Sequence, residues 1–394
     1  MGRATDKGIL ALKRVVVAIG VVLLLFLVLL SQACFVPQDV SKPPPVLERA
    51  QVLVGGDAYE KHLFFSGSQL GDTSQILAGW PADRENAALV IVGNQGAQFL
   101  SDDGTLKKYV RFSQAHFCPI QAVPLNKEGN FGFLTRDPTW ACAVVLYDRD
   151  GNQLWSYSSS MGVDDAAGGF MSNASTSVFV VGLNGWGGIR LLDQKGKEVW
   201  KQAGGNIWHV EILDAAGDGN GKILNSDARG ELVSRNDKGE VTLRYETGGY
   251  VSNFALVRWG EERHPTHVLF YASPTFPAGG TPRFRVIDSN GQRVAQLEAP
   301  LGDLLHRLEG TSVSFKKETA TFAALQGDEV IKRSLLYLFD VRGKMVYQEV
   351  ITEGCRGIAA LPRESEETLL VGCNNKVWEY RPAGSAARSK PVKQ

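Results

Sequence analysis

The chain has 394 residues, and its 42 Lys plus Arg balance its 42 Asp plus Glu. That balance gives no argument for an anionic membrane surface as partner, and no nucleic-acid partner is expected. Glycine is abundant at 43 residues and recurs beside β-branched and aromatic runs, a β-rich, turn-rich composition rather than a disordered one.

The first stretch is polar, with Arg3, Lys7, Lys13 and Arg14 against Asp6, and residues 15–30 then form an unbroken apolar run. A buried core helix would show polar interruptions on one face, so the run reads as one N-terminal transmembrane or signal helix. The positive flank places the N-terminus in the cytoplasm and sends the rest of the chain across the membrane. Three fates remain open at Cys34. Ser31-Gln-Ala-Cys34 resembles the bacterial lipoprotein box, with Ser31 where Leu is usual, which would make Cys34 a lipidation site. Ser31-x-Ala33 also suits ordinary signal peptidase, and the run could instead stay as an uncleaved anchor. Pro43-Pro44-Pro45 then favours an extended spacer.

Beyond the spacer one phrase organises the chain. Leu146-Tyr-Asp-Arg-Asp-Gly-Asn-Gln-Leu-Trp155 and Leu191-Leu-Asp-Gln-Lys-Gly-Lys-Glu-Val-Trp200 each read as strand, Asp-x-x-Gly turn, strand with Trp. Glycine supplies the positive φ, and the Asp side chain can bond the turn's own amides. The turn glycine recurs as Gly104, Gly151, Gly196, Gly239, Gly291 and Gly343, with Ser101, Asp148, Asp193, Asn236, Asp288 and Asp340 three positions earlier. A period in the forties with several short strands per unit is that of a β-propeller blade.

Four strands per unit fit this period. The first unit spans about 74–112, the second about 120–157, and the third runs to about 201 with an innermost strand near 169–173. A seventh unit, 368–380, lacks a fourth strand and would expose an edge. Either 50–54 or 62–65 is therefore expected to close the ring as the outermost strand of blade seven. The expected fold is all-β, a seven-bladed propeller, with eight blades as the alternative count. The domains are 1–34 signal, lipoprotein signal or membrane anchor; 35–49 Pro-rich linker; 50–383 propeller; and 384–394 flexible tail.

The strand–Asp-x-x-Gly-x-x-x-Trp phrase resembles the blades of the quinoprotein-like (PQQ-like) propeller superfamily. Asp214-Ala-Ala-Gly-Asp-Gly-Asn-Gly-Lys222 resembles the Asp-rich turn of FG-GAP and integrin-like propellers. The resemblance covers about 66–380 and implies blade architecture, while the activity stays open across dehydrogenases, membrane-assembly lipoproteins and adhesive modules.

Several residues are candidates for chemistry. Cys355 and Cys373 fall nearly opposite each other across one hairpin and are expected to form a disulfide, and Cys118 and Cys142 are a looser second pair. Asp214, Asp218 and Asn220 are the metal candidates, with calcium the one cofactor in view, although Ala216 stands where a further ligand should be. His116, Trp208, His209, Asn253, His306 and Arg356 fall near the starts of innermost strands, where they would ring the channel mouth, with Asp164-Asp165 just before the inner strand of blade three. Such a ring could hold an anionic ligand, a peptide or a metal, and it is also what any wet channel mouth collects. No Gly-x-Ser-x-Gly elbow is present, and no residue is expected to be catalytic.

The leading expectation is a membrane-tethered, extracytoplasmic propeller acting as a protein-interaction scaffold in the bacterial cell envelope. It would face the periplasm or exterior and bind an envelope protein partner. The alternatives are a small-ligand or enzymatic propeller using the channel mouth, and a calcium-stabilised adhesive module.

Overall fold

A computed structural model describes residues 42–385 except 79–87, 113–119, 137–142, 173, 215, 252, 261, 263–264, 274–280, 316–321, 329 and 364–365. The expected helix at 15–30 and the candidates Cys34, His116, Cys118 and Cys142 lie outside the described residues. Among the described residues no helix is long and apolar enough to cross a membrane.

The unit beginning at Pro44 is built of seven antiparallel sheets. Two strands, β1 (Gln51–Val54) and β2 (Tyr59–Ser66), precede the first blade. Blade one is β3 (Thr73–Ala78), β4 (Leu89–Gly93), β5 (Gly96–Leu100) and β6 (Leu106–Arg111); blade two is β7 (Ile120–Pro124), β8 (Phe131–Arg136), β9 (Ala143–Tyr147) and β10 (Gln153–Ser158). Blade three is β11 (Val163–Gly169), β12 (Val178–Leu183), β13 (Gly188–Leu192) and β14 (Glu198–Gln202); blade four is β15 (Ile207–Leu213), β16 (Lys222–Asp227), β17 (Leu232–Arg235) and β18 (Val241–Tyr245). Blade five is β19 (Phe254–Val257), β20 (His267–Tyr271), β21 (Arg283–Ile287) and β22 (Arg293–Glu298); blade six is β23 (Arg307–Ser312), β24 (Phe322–Asp328), β25 (Arg333–Phe339) and β26 (Met345–Ile351). Blade seven has β27 (Ile358–Pro362), β28 (Glu367–Cys373) and β29 (Lys376–Pro382).

Both N-terminal segments weighed for ring closure are used, in different sheets. Strand β2 pairs with β29 and completes blade seven, while β1 pairs with β26 and gives blade six a fifth strand. Among the described residues, the N-terminal strands therefore add to existing blades and build no eighth. Closure is fixed by chemistry as well as register. Lys61 on β2 donates to Glu349 Oε1 on β26 at 2.9 Å, and the hydroxyls of Tyr347 and Tyr380 donate to Glu349 Oε2 at 3.1 and 2.8 Å.

The recurring turn works as its residues dictate. In five of the six turns the Oδ1 atom at the first position accepts the backbone N–H groups two and four residues on, as Asp193 does from Lys195 and Lys197 at 2.8 and 2.9 Å. The glycine sits left-handed, with φ between 75 and 85° in all six turns. The register slips by one residue beside each turn, as a type I turn with a glycine bulge requires. The first turn inverts the scheme: Asp103 Oδ1 accepts from the Ser101 hydroxyl and the Thr105 amide.

The core lies between blades. Seven apolar clusters each join two neighbouring sheets, including one that joins blade seven to blade one. Within β4, Leu89 and Ile91 face blade seven while Val90 and Val92 face blade two. Alternate side chains point to opposite faces and both faces are covered, so a central strand reads as a continuous apolar run. The tryptophans of the repeated phrase bridge neighbouring blades: Trp155 Nε1 donates to the carbonyl of Gln194, in the next blade's turn, at 3.1 Å, and Trp200 Nε1 to that of Asp237 at 2.6 Å.

One strand differs from expectation. The innermost strand of blade three is Val163–Gly169, several residues earlier than 169–173, so Asp164 and Asp165 lie within it rather than before it. Its two acids disguise it, because polar residues are tolerated where an inner strand meets a wet channel.

Candidate functional site: the entry face of the channel

Strand order determines what meets at each end of the ring. Innermost strands begin at one face, and antiparallel pairing returns the second-to-third turns and the blade-to-blade connections to that same entry face. The Asp-x-x-Gly turns and the 214–220 loop emerge on the opposite face. The metal candidates are thereby separated from the channel-mouth candidates.

A charged network occupies the inner strands. Asp165 on β11 accepts from His209 Nδ1 on β15 at 2.5 Å and from the Val210 amide at 3.1 Å. His209 Nε2 lies 3.9 Å from Glu211 Oε1, and its ring meets that of Phe254 edge-on at 4.5 Å. Arg307 and Glu309 on β23 pair at 3.5 Å, and Glu309 also accepts the Gly357 amide at 2.8 Å. Arg136, at the end of β8, donates to the carbonyls of Val163 and Asp164.

The side chains of Asp165 and His209 are 24% and 18% exposed. Burial disfavours charge on both, but their mutual attraction prevails, holding the Asp165 carboxyl below the usual range and the His209 imidazole above it. Glu211 is pushed up to about 7 by burial, which the attraction of His209 only partly offsets. Arg356 is depressed, first by burial and then by the neighbouring Arg307.

The structure divides the six expected channel residues. Trp208, Asn253 and His306 line one cavity of about 380 Å³ on the entry face, between blades four, five and six. Arg356 lines a different cavity of about 460 Å³ between blades one, six and seven, with Lys332 and Lys376 against Asp72, Asp328 and Glu353. His209 belongs to the charged network. His209, His306 and Arg356 thus do not converge on one point, and His116 lies outside the described residues. Sequence reading missed Glu211, Arg307 and Glu309 in the network, and Tyr250, Tyr271 and Asp303 in the smaller cavity. One available signal was the polar pairing two apart, His209 with Glu211 and Arg307 with Glu309, within otherwise apolar inner strands.

The expected Cys355–Cys373 disulfide is present, with Cα atoms 3.9 Å apart, and its Cys355 lines the larger cavity. On the opposite face Asp214 Oδ2 accepts the Gly219 amide at 2.9 Å, Asp218 Oδ1 accepts that of Asn220 at 2.8 Å, and Lys127 donates to the Asp218 carbonyl at 3.2 Å. Among the described residues no three His, Cys, Asp or Glu side chains gather as a metal site.

No protein-family profile matches the chain, and no curated protein matches it. Solved structures do. The Neurospora crassa Pan2 WD40 domain superposes with a TM-score of 0.50 at 12% identity, covering 85% of this chain and 98% of that one. BBS1N, solved in complex with ARL6DN and soaked with mercury, gives 0.52 at 12%, covering 86% and 99%. The same complex soaked with lead gives 0.51 at 13%, covering 87% and 100%. At such identities the likeness is one of fold. It supports the seven-bladed β-propeller and leaves the narrower quinoprotein-like and FG-GAP-like resemblance without support.

Proposed function

We propose that this chain is a membrane-tethered interaction scaffold, holding its propeller on the extracytoplasmic side of a bacterial membrane and receiving an envelope protein on its entry face. The apolar run at 15–30 motivates the tether; within the expected linker, Pro45–Leu47 form a short 3-10 helix whose Leu47 is buried in the core rather than an extended spacer. The observation that carries the interaction reading is Trp186, which is 83% exposed at the tip of a turn fixed from several directions. In that turn Asn184 N donates to Gly162 O at 2.8 Å, Gly185 N donates to Asn206 Oδ1 at 2.8 Å, and Asn184 Nδ2 donates to Asp164 Oδ1 at 3.2 Å. A large aromatic held out by an ordered turn is the kind of group that dominates binding energy, since little further ordering is needed on association. BBS1N, one of the fold neighbours, was crystallised with a protein partner.

The test is a photo-crosslinking amino acid placed at Trp186 or, on the opposite face, at Val341, which is 71% exposed. In cells, discrete adducts with an envelope protein are expected from position 186 and not from 341. Adducts from neither, or equally from both, would contradict the reading.

A calcium-stabilised loop is the second reading, and Asp214 motivates it. Its Oδ1 is buried and takes no hydrogen bond among the described residues. Removing calcium with a chelator should then lower the melting temperature, and an unchanged melt would dispose of it.

A further inference from the structure

The smaller entry-face cavity has a composition that the larger one lacks. Three aromatic side chains line it, Trp208 from β15, Tyr250 from the connection to blade five, and Tyr271 from the end of β20. Trp208 and Tyr250 meet edge to face, with ring centroids 5.1 Å apart at 67°. Asp303 completes the wall with a carboxylate, and the imidazole of His306 is the one basic side chain among the described residues that line it, with no lysine or arginine. The larger cavity, by contrast, balances three cations against three acids.

We propose that this cavity is a binding site for an alkylammonium group. Aromatic faces carry negative quadrupole potential and attract a cation whose charge is spread over methyl or methylene groups, most strongly where water is thinned out. Asp303 adds a formal negative charge within the same wall, and Leu305 and Leu308 give the alkyl groups apolar surface. At about 380 Å³ the cavity is within the range of small-molecule sites. The phenol of Tyr271 is raised first by burial and then by the nearness of Asp303, consistent with a carboxylate close to its hydroxyl. Two sources present this chemistry, a free quaternary ammonium compound and a lysine side chain on a protein. The site is independent of the scaffold proposal, since a free ligand needs no protein partner and the Trp186 cross-link does not depend on this cavity.

Isothermal titration of the full chain with choline tests the site, with 3,3-dimethylbutan-1-ol as the neutral isostere and Nα-acetyl-lysine methylamide, with and without trimethylation, as the lysine arm. Saturable choline binding is expected, at least tenfold tighter than the isostere. It should weaken at least tenfold in Asp303→Asn, whose exposed side chain makes that variant safe for folding, and disappear in Trp208→Ala. Preference between choline and the lysine derivatives identifies the source. No binding by any ammonium ligand, equal binding of the isostere, or unchanged affinity in a folded Asp303→Asn would overturn the proposal.

Discussion

Replacing Gly196 by Ala tests how the repeated turn joins one blade to the next. Two costs should act together. At φ of 76° a side chain is strained by about 1–2 kcal/mol. A Cβ there would also stand 2.7 Å from Cδ2 and 3.0 Å from Cγ of Trp155 in the preceding blade, and such overpacking costs about 1–3 kcal/mol. The combined loss should be about 2–5 kcal/mol in urea unfolding. The same relation recurs round the ring: Gly239 meets Trp200, Gly291 meets Tyr245, Gly343 meets Leu297, and Gly104 meets Phe64 of the closing strand. A double-mutant cycle separates the two costs. With Trp155 already replaced by Ala, Gly196→Ala should lose only the backbone part, about 1–2 kcal/mol. Gly260→Ala, at φ of 66° with nothing within 4 Å, should behave likewise. An identical cost for Gly196→Ala in both backgrounds would show that the turn glycine is not needed for blade-to-blade contact.

Three further outcomes are expected. Glu349→Ala strands two phenol hydroxyls and the Lys61 ammonium beside the closing strand, and should destabilise by about 3–5 kcal/mol in chemical unfolding, well beyond Lys61→Ala, whose side chain is already 26% exposed. Replacing both Cys355 and Cys373 by Ser, which opens a loop of separation 18, should cost about 3 kcal/mol and remove the sensitivity of the melt to reductant. Stability should also fall as pH rises through the neutral range. Glu211, at about 7 against an ordinary 4.5, holds its proton more tightly when folded, so its contribution is present below about pH 4.5 and lost by about 7. That contribution is at most about 3 kcal/mol. The raised His209 acts in the same sense, keeping its contribution below the ordinary 6.5 and losing it as pH passes the folded value, whereas Asp165, being lowered, matters only in acid. Glu211→Gln should flatten the profile measured by melts from pH 5 to 8, and an unaltered slope would remove Glu211 from the network.

The blades were legible because their signal is local. An Asp or Asn bonding amides two and four residues on, followed by a left-handed glycine, is written in four consecutive letters and needs no tertiary partner. Cys355 and Cys373 could be matched for a similar reason, since hairpin register is arithmetic. The inner strand of blade three was misplaced because Asp164 and Asp165 break the apolar pattern, and their purpose is visible only once His209 and Arg136 arrive from neighbouring blades. The entry-face cavities were less legible still. Trp208, Asn253 and His306 could be placed from strand starts, but Tyr271 comes from the end of a second strand and Asp303 from a connection, positions that the repeat does not align. The repeat likewise gave no reason for β1 to join blade six rather than blade seven.

The central claim is a ring closed by its N-terminal strand, and native-state hydrogen exchange under increasing urea tests it most directly. Amides of Tyr59–Ser66 should be protected and should open with the same free energy as those of β27 to β29, because they belong to one sheet. Exchange of that segment at the rate of an unstructured peptide, while the rest of blade seven stays protected, would mean that the wheel is not closed as described.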